Sequence, residues 1–456
     1  MRIGVFHGSP YYLRYYESAL VALHGRGHRL LLARPDRYTD VWVPRALRGS
    51  RRVTTALHPF RRTDGLDQPV RILRAARDFA RYNAPPLVEA NANRERAYER
   101  MLRSVIGKQR SLEREGPVPA IGYDAATQSA IDSVFRELES LVPADDGAAT
   151  FLREQRLDTA IVIARVNLAA RDTEIVKAAV SLGIPTGLVV YSWDNLSSKG
   201  LVHVRPDRLF VWNEIQAEEA ERLHGIPRDR VVITGAVRFD SMFERSPSSD
   251  REGLLRELGL DPSRKTVLYL GSSAFVAPRE PEFVERWAAA APEGLNLLVR
   301  PHPGTAEDEA WRTVAAAVVA PPVVRDRPQD LFDQIVASDA VVGLNTSAEI
   351  EAAIVGRPVL TVRAGDLAPG QEGSLHFRYL LAEEGGFVRT AGSLEEHVRQ
   401  LEEALASDPL AAERRRFLES FVRPRGLDRP AGPLLADEIE TLGKSRPRGL
   451  FRRRQP

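Results

Sequence analysis

The chain has 456 residues, 64 basic and 62 acidic side chains, a net charge of +2, 43% hydrophobic and 28% charged residues, and no cysteine. That length exceeds one ordinary core and points to two domains, while the near balance of charge gives no reason to expect a nucleic-acid partner. The missing cysteine excludes disulfides, thiolate metal sites and cysteine nucleophiles, and is consistent with a reducing cytoplasm.

In chain order, Arg2 to Phe6 reads as a strand and His7-Gly8-Ser9-Pro10 as its loop. Tyr11 to His24 carries Leu13, Tyr16, Leu20 and Leu23 at helical spacing, Gly25 and Gly27 end it, and His28 to Ala33 is the next strand. This is the opening of a doubly wound α/β domain. From about 59 to 150 the rhythm breaks. Ala75 to Tyr82, Val88 to Glu113 and Ala125 to Leu141 look helical, a helical insertion whose charges read as a solvated face. Alternation resumes with strand Thr159 to Ala164, helix Thr173 to Leu182, strands Thr186 to Tyr191 and Arg208 to Val211, helix Glu214 to His224 and strand Val231 to Thr234. The first domain then ends near 240, before a polar linker.

The second half repeats the pattern over 241–430: strand Thr266 to Leu270, helix Glu280 to Ala291, strand Asn296 to Val299, helix Ala306 to Ala317, strand Val323-Val324 and helix Gln329 to Ala337. Ala340 to Leu344 is a buried strand, Asn345-Thr346-Ser347 an N-cap cluster, Ala348 to Val355 a helix closed by Gly356, and Val359 to Val362 a strand. Helices near 393–406 and 408–421 follow, and 431–456 holds a final helix and a basic tail. The tail reads as a solvated terminus. Its second reading is peripheral contact with anionic lipid at the inner face of the cell membrane, Leu450 and Phe451 acting as shallow anchors. No apolar run approaches the roughly 20 residues of a membrane span, and MRIGVFHGSP does not read as a signal peptide, so a cytoplasmic location is expected.

Ligands of open α/β sheets bind at the carboxyl ends of strands. In the second half those ends carry Gly271-Ser272-Ser273, Arg300-Pro301-His302-Pro303, Arg325-Asp326-Arg327-Pro328 and Asn345-Thr346-Ser347. Gly271 lets a backbone approach closely, and Ser272 and Ser273 supply hydroxyls. Arg300 can pair with phosphate oxygens and His302 can donate a hydrogen bond. The helix start after Asn345 offers N–H groups and a positive dipole end to a diphosphate. Glu349 or Glu351 could accept from ribose hydroxyls.

GLNTSAEIEAAIVGRPVLTV, with LLVRPHP upstream and FVRPRGLDRPAGPLLADEIE downstream, resembles nucleotide-sugar glycosyltransferases of the GT-B fold, closest to bacterial surface-polysaccharide and CDP-glycerol glycerophosphotransferase enzymes. The resemblance covers mainly 265–440. It implies two Rossmann-like domains facing a central cleft, the donor on the C-terminal one. Ser272, Arg300, His302, Thr346, Ser347 and Glu349 would touch that donor, with no metal and no cofactor beyond the nucleotide-diphosphate sugar. The acceptor would be a glycan or lipid-linked hydroxyl, and the last helix would cross back to the first domain. Glutamates eight positions apart are missing, since eight past Glu349 is Arg357 and eight past Glu351 is Val359, which favours inversion. The Gly343 to Ser347 loop lacks the aspartate and tyrosine often found in polyol-phosphate transferases, so a sugar donor is preferred and polyol phosphate is the first alternative.

Inversion needs a base at a strand end of the first domain. His7 qualifies by pKa. Asp194, in Tyr191-Ser192-Trp193-Asp194-Asn195, qualifies by position, with Trp193 and Asn195 as sugar contacts and Arg165 as an acceptor contact. The plainer reading makes Asp194-Asn195 a turn and Trp193 a core plug. The first turn lacks G-x-G-x-x-G, and no Walker A, G-x-S-x-G or H-E-x-x-H sequence occurs. His58, His203, His224, His376 and His397 read as ordinary surface or partly buried residues. A nucleotide-sugar 2-epimerase and a catalytically silent nucleotide-sugar or glycan binder remain as rivals.

Overall fold

The computed structural model describes residues 1–8, 12–37, 41–59, 61–85, 87–107, 116–167, 172–306, 309–314, 318–319 and 328–445. The chain forms two compact units, Met1–Asp240 with Phe421 onwards, and Ser241–Ser420. The first unit takes the chain back at Phe421, earlier than the sequence boundary at 430.

In the first unit β1 (Arg2–His7), β2 (Arg29–Pro35), β3 (Val53–His58), β4 (Thr159–Ala164), β5 (Thr186–Val190), β6 (Arg208–Val211) and β7 (Val231–Ile233) lie in the order β3-β2-β1-β4-β5-β6-β7. Every pairing is parallel, with Ile3 opposite Leu30 on one side and Thr159 on the other. The central strands are buried on both faces, which is why they read as unbroken apolar runs. Strand β3 escaped the sequence reading because it is an edge strand with Thr54 and Thr55 exposed.

The insertion forms helices Asp67–Ala80, Asn91–Ile106, Ala125–Leu141 and Asp146–Gln155. The expectation of a solvated charged face fails here. Arg74, Arg77, Asp78, Arg81, Arg94 and Glu139 are all buried. Arg74 joins Glu139 at 2.8 Å and Glu174 at 2.5 Å, Arg62 reaches Glu174 at 2.7 Å, and Lys177 reaches Glu139 at 2.9 Å. Buried charges persist only when paired, so this network fastens the insertion to helix Thr173–Ser181. The last helix, Ala431–Lys444, packs on helix Glu17–Gly25. Its N-terminus is held by Asp240, which accepts from the N–H groups of Ala431 at 2.9 Å and Gly432 at 2.7 Å and from Ser18 Oγ at 2.8 Å, and pairs with Arg423 at 3.0 Å.

In the second unit β8 (Thr266–Leu270), β9 (Asn296–Arg300), β10 (Val318–Val319), β11 (Ala340–Gly343), β12 (Val359–Val362) and β13 (Val388–Ala391) form a parallel sheet ordered β10-β9-β8-β11-β12-β13. Helices Glu280–Ala290, Pro328–Ala337, Ala348–Val355 and Leu394–Ala406 accompany it. Where a helix from Ala306 to Ala317 was expected, the described part is a 3-10 turn, Glu309–Thr313. Val323-Val324, Arg325 to Arg327 and the tail from Arg446 lie outside the described residues. The five scattered histidines are not surface residues. His58, His203, His224, His376 and His397 are all buried, and His397 accepts from Trp287 Nε1 at 3.0 Å. Among the described residues no helix is long and apolar enough to cross a membrane.

Candidate functional site

Each sheet reverses its chain order once, between β1 and β4 in the first unit and between β8 and β11 in the second. Neighbouring loops diverge there and open a crevice at the strands' carboxyl ends.

At the β8/β11 crevice two buried carboxylates hold the loops. Glu280 accepts from Ser272 N–H at 2.8 and 3.0 Å and from the Tyr269 hydroxyl at 3.0 Å. Glu349 accepts from the N–H groups of Asn345 and Thr346, each at 3.2 Å. Burial pushes Glu349 up to about 7 and Glu280 up to about 8 against the pull of those hydrogen bonds, and the charge of Glu349 adds to the rise at Glu280. Gly343 makes room for this, since a Cβ there would lie 2.7 Å from Glu349 Oε1. Asn345 takes φ +107°, while its Nδ2 donates to Ser374 Oγ at 3.1 Å. Strain of this kind, on the order of 1–3 kcal/mol, clusters at ligand sites.

Several sequence assignments change. Glu349 is fully buried, with its oxygens committed to backbone N–H groups, so it positions the loop and does not meet a ribose. Gly271 is required by protein backbone, because a Cβ would lie 2.6 Å from the nitrogen of His302. Arg300 is buried and donates to Gln334 at 2.8 Å; burial lowers its pKa against the influence of Asp330 and Glu351. Ser347 stands at the helix N-cap without a side-chain capping bond. Ser272 and Asn345 are buried, whereas Ser273, His302, Thr346 and Ser347 are half-buried. Gly304 N–H donates to His302 Nδ1 at 3.0 Å. A backbone N–H meets only an unprotonated ring nitrogen, so the neutral ring carries its proton on Nε2.

At the β1/β4 crevice His7 is buried at the end of β1. Ser9 and Pro10 lie outside the described residues. A Cβ on Gly8 would lie 3.3 Å from the Asp172 carboxylate, and burial pushes Asp172 up to about 6 against the influence of Arg37. Sequence reasoning missed Asp172. The cue was present, an acidic residue directly before helix Thr173–Ser181, a preferred helix-start position.

Beside it the loop after β5 folds into the short helix Asn195–Ser198. Trp193 is 2% exposed, a core plug with no face for a sugar ring. Asn195 is fully buried; its Oδ1 accepts from Ser192 N–H at 3.1 Å and its Nδ2 donates to Asp194 Oδ1 at 3.0 Å, so it shapes the turn. Lys199 pairs with Asp194 at 2.9 Å, which makes Asp194 an ion-pair partner and not an open base. The insertion supports this loop. Arg81 donates to the carbonyls of Leu196 at 2.7 Å and Gly200 at 2.9 Å, Tyr82 to that of Lys199 at 2.6 Å, and Asn93 to that of Ser198 at 2.9 Å. Arg165 is exposed at the end of β4.

No protein-family model and no curated protein matches the sequence. Among solved structures the fold is that of glycosyltransferases and UDP-GlcNAc 2-epimerases of the GT-B type. WaaG, a glycosyltransferase involved in lipopolysaccharide biosynthesis, matches with TM-score 0.50 at 14% identity, over 96% of this chain and 99% of its own. The UDP-GlcNAc 2-epimerase from Methanocaldococcus jannaschii matches with TM-score 0.50 at 12% identity, over 97% and 99%. S. aureus MnaA, in a co-structure with UDP, matches with TM-score 0.50 at 13% identity, over 96% of each chain. The chain thus has the GT-B fold, with two Rossmann-like domains.

Proposed function

We propose that this chain is an inverting, metal-independent glycosyltransferase that moves a sugar from a nucleotide diphosphate to a hydroxyl of a surface polysaccharide or related glycan. The observation that carries the reading is the β8/β11 crevice, where Ser273, His302, Thr346 and Ser347 remain half-buried around the N-terminus of helix Ala348–Val355. Hydroxyl donors, an imidazole N–H and a positive dipole end suit a diphosphate, and they stabilise the charge that it gains on leaving. Glu349, through the N–H groups of Asn345 and Thr346, and Glu280, through that of Ser272, hold the loops that carry them.

Asp172 is the base we assign. It lies against Gly8 at the β1/β4 crevice, and a carboxylate raised to about 6 is strong enough to take a hydroxyl proton yet ionised at neutral pH. His7 is too buried and Asp194 too firmly paired for that role. The test is incubation with UDP-, CDP-, GDP- and dTDP-sugars and isolated envelope glycan, with products separated by mass. Transfer to glycan, lowered about 10²–10⁴-fold in Asp172→Asn with donor binding kept, supports the reading. Release of a 2-epimer without acceptor makes the chain an epimerase, and the absence of any donor turnover makes it a silent binder.

A further inference from the structure

Three separate segments bring positive charge together at the carboxyl ends of β4 and β5. Arg96 comes from helix Asn91–Ile106, Arg165 from the end of β4 and Lys199 from the loop after β5. Asp194 is a carboxylate whose charge all three feel. The backbone is bent to build it. Val166, a β-branched residue next to Arg165, takes φ +49°, and its carbonyl accepts from Gly200 N–H at 2.7 Å. A non-glycine residue rarely adopts that conformation, and a β-branched one least of all. Gly200 cannot be larger, since a Cβ would lie 2.6 Å from the Asn167 carbonyl oxygen. Tyr12 stacks on Tyr191 with ring centroids 4.3 Å apart, and Arg165 lies over Tyr12 at 6.0 Å, which fixes the guanidinium's direction. Arg96 donates to the carbonyl of Ser198, beside Lys199.

We propose that Arg96, Arg165 and Lys199 form an anion pocket that takes a phosphate ester carried by the acceptor. Three cations around one carboxylate repel one another, and an arriving anion relieves that repulsion at each of them. Two guanidiniums and one ammonium match a phosphate, the arginines by paired N–H donors and the lysine as a compact charge. Burial holds Lys199 below its usual pKa, with Arg96 and Arg165 adding to the fall against the pull of Asp194, and an arriving phosphate reverses that balance. The word acceptor rests on the transferase reading; the anion pocket itself does not.

The test is calorimetric titration of the full chain at low salt with octyl phosphate, glycerol 3-phosphate, octanol and UDP. The variants are Arg165→Gln and His302→Ala. Arg165 is exposed, so its substitution leaves the fold intact, and an unchanged melting temperature checks this. Phosphate-ester binding is expected to weaken about tenfold or more in Arg165→Gln and to stay unchanged in His302→Ala, with UDP behaving the opposite way. Octyl phosphate binding tighter than glycerol 3-phosphate assigns the ester to a lipid-linked acceptor; equal binding assigns it to a soluble sugar phosphate. Binding of neither ester, or binding indifferent to Arg165→Gln, overturns the pocket. If Arg165→Gln weakens UDP and not the esters, the cluster serves the donor and the proposal fails. UDP binding that ignores His302→Ala undermines the donor site alone and leaves the anion pocket standing.

Discussion

Glu349 shows how a single buried carboxyl can tie a loop to pH. Its carboxyl, raised to about 7, lies behind the Asn345 and Thr346 backbone where the proposed diphosphate rests. An anion nearby favours the protonated form, so UDP affinity should be greatest below about 7 and fall as pH rises through that value. Glu349→Gln should flatten the dependence between pH 7 and 8, where UDP no longer changes charge, and calorimetry across that range checks it. An unchanged slope in the variant would place the diphosphate elsewhere. Asp240 makes a second residue-scale case. It is 2% exposed and serves Ser18, Arg423, Ala431 and Gly432 together. Asp240→Ala would leave the Arg423 guanidinium buried without its carboxylate, and should cost about 3–5 kcal/mol in urea unfolding. A loss under about 1 kcal/mol would show that water replaces those bonds.

The elements most legible in the sequence are those with one dominant period. The segment 340–362 folds as strand, helix and strand at nearly the boundaries that its apolar run, polar loop and Gly356 indicate. The insertion was legible as helices but not in its packing. A helix rich in arginine and glutamate has the same composition whether its charges face water or each other, and partners such as Arg74 and Glu174 are a hundred positions apart. Arg74→Met should destabilise the chain by about 3–5 kcal/mol, and Arg74→Met with Glu139→Met should recover part of that, because an apolar pair strands less charge. Thermal unfolding of the three proteins decides it; a double variant no better than the single would argue against a coupled network. At the crevices the sequence pointed to loops that the fold brings to the carboxyl ends of the strands, but it could not tell a side chain left open from one held by the protein. Glu349 looks like a binding residue in one dimension, and only its hydrogen bonds from the Asn345 and Thr346 N–H groups show that it holds the loop.

Across the whole molecule, pH should act on the two units differently. In the first, burial lowers His58 to about 4, whereas at Glu139 burial pushes the carboxyl up and the hydrogen bonds and charges of Arg74 and Lys177 outweigh it, bringing it down to about 2. The unfolded chain then binds the proton first, so these groups remove stability as pH falls below about 6.5 and again below about 4.5. Asp172, raised to about 6, opposes this over a narrower window. In the second unit Glu280 and Glu349 are raised, so there the folded chain binds the proton first and stability is regained as pH falls from about 8 toward 4.5, with His397, lowered to about 4, acting against them. Hydrogen exchange read on separate peptides at pH 7.5 and 5.5 should show the first unit losing protection relative to the second; the reverse order would refute the assignment. The same method tests the central claim most directly. With UDP, CDP, GDP and dTDP in turn, one nucleotide should slow exchange at 271–276 and 343–351, the two loops of the β8/β11 crevice. Protection confined to the first unit, or none with any saturating nucleotide, would contradict a donor site there.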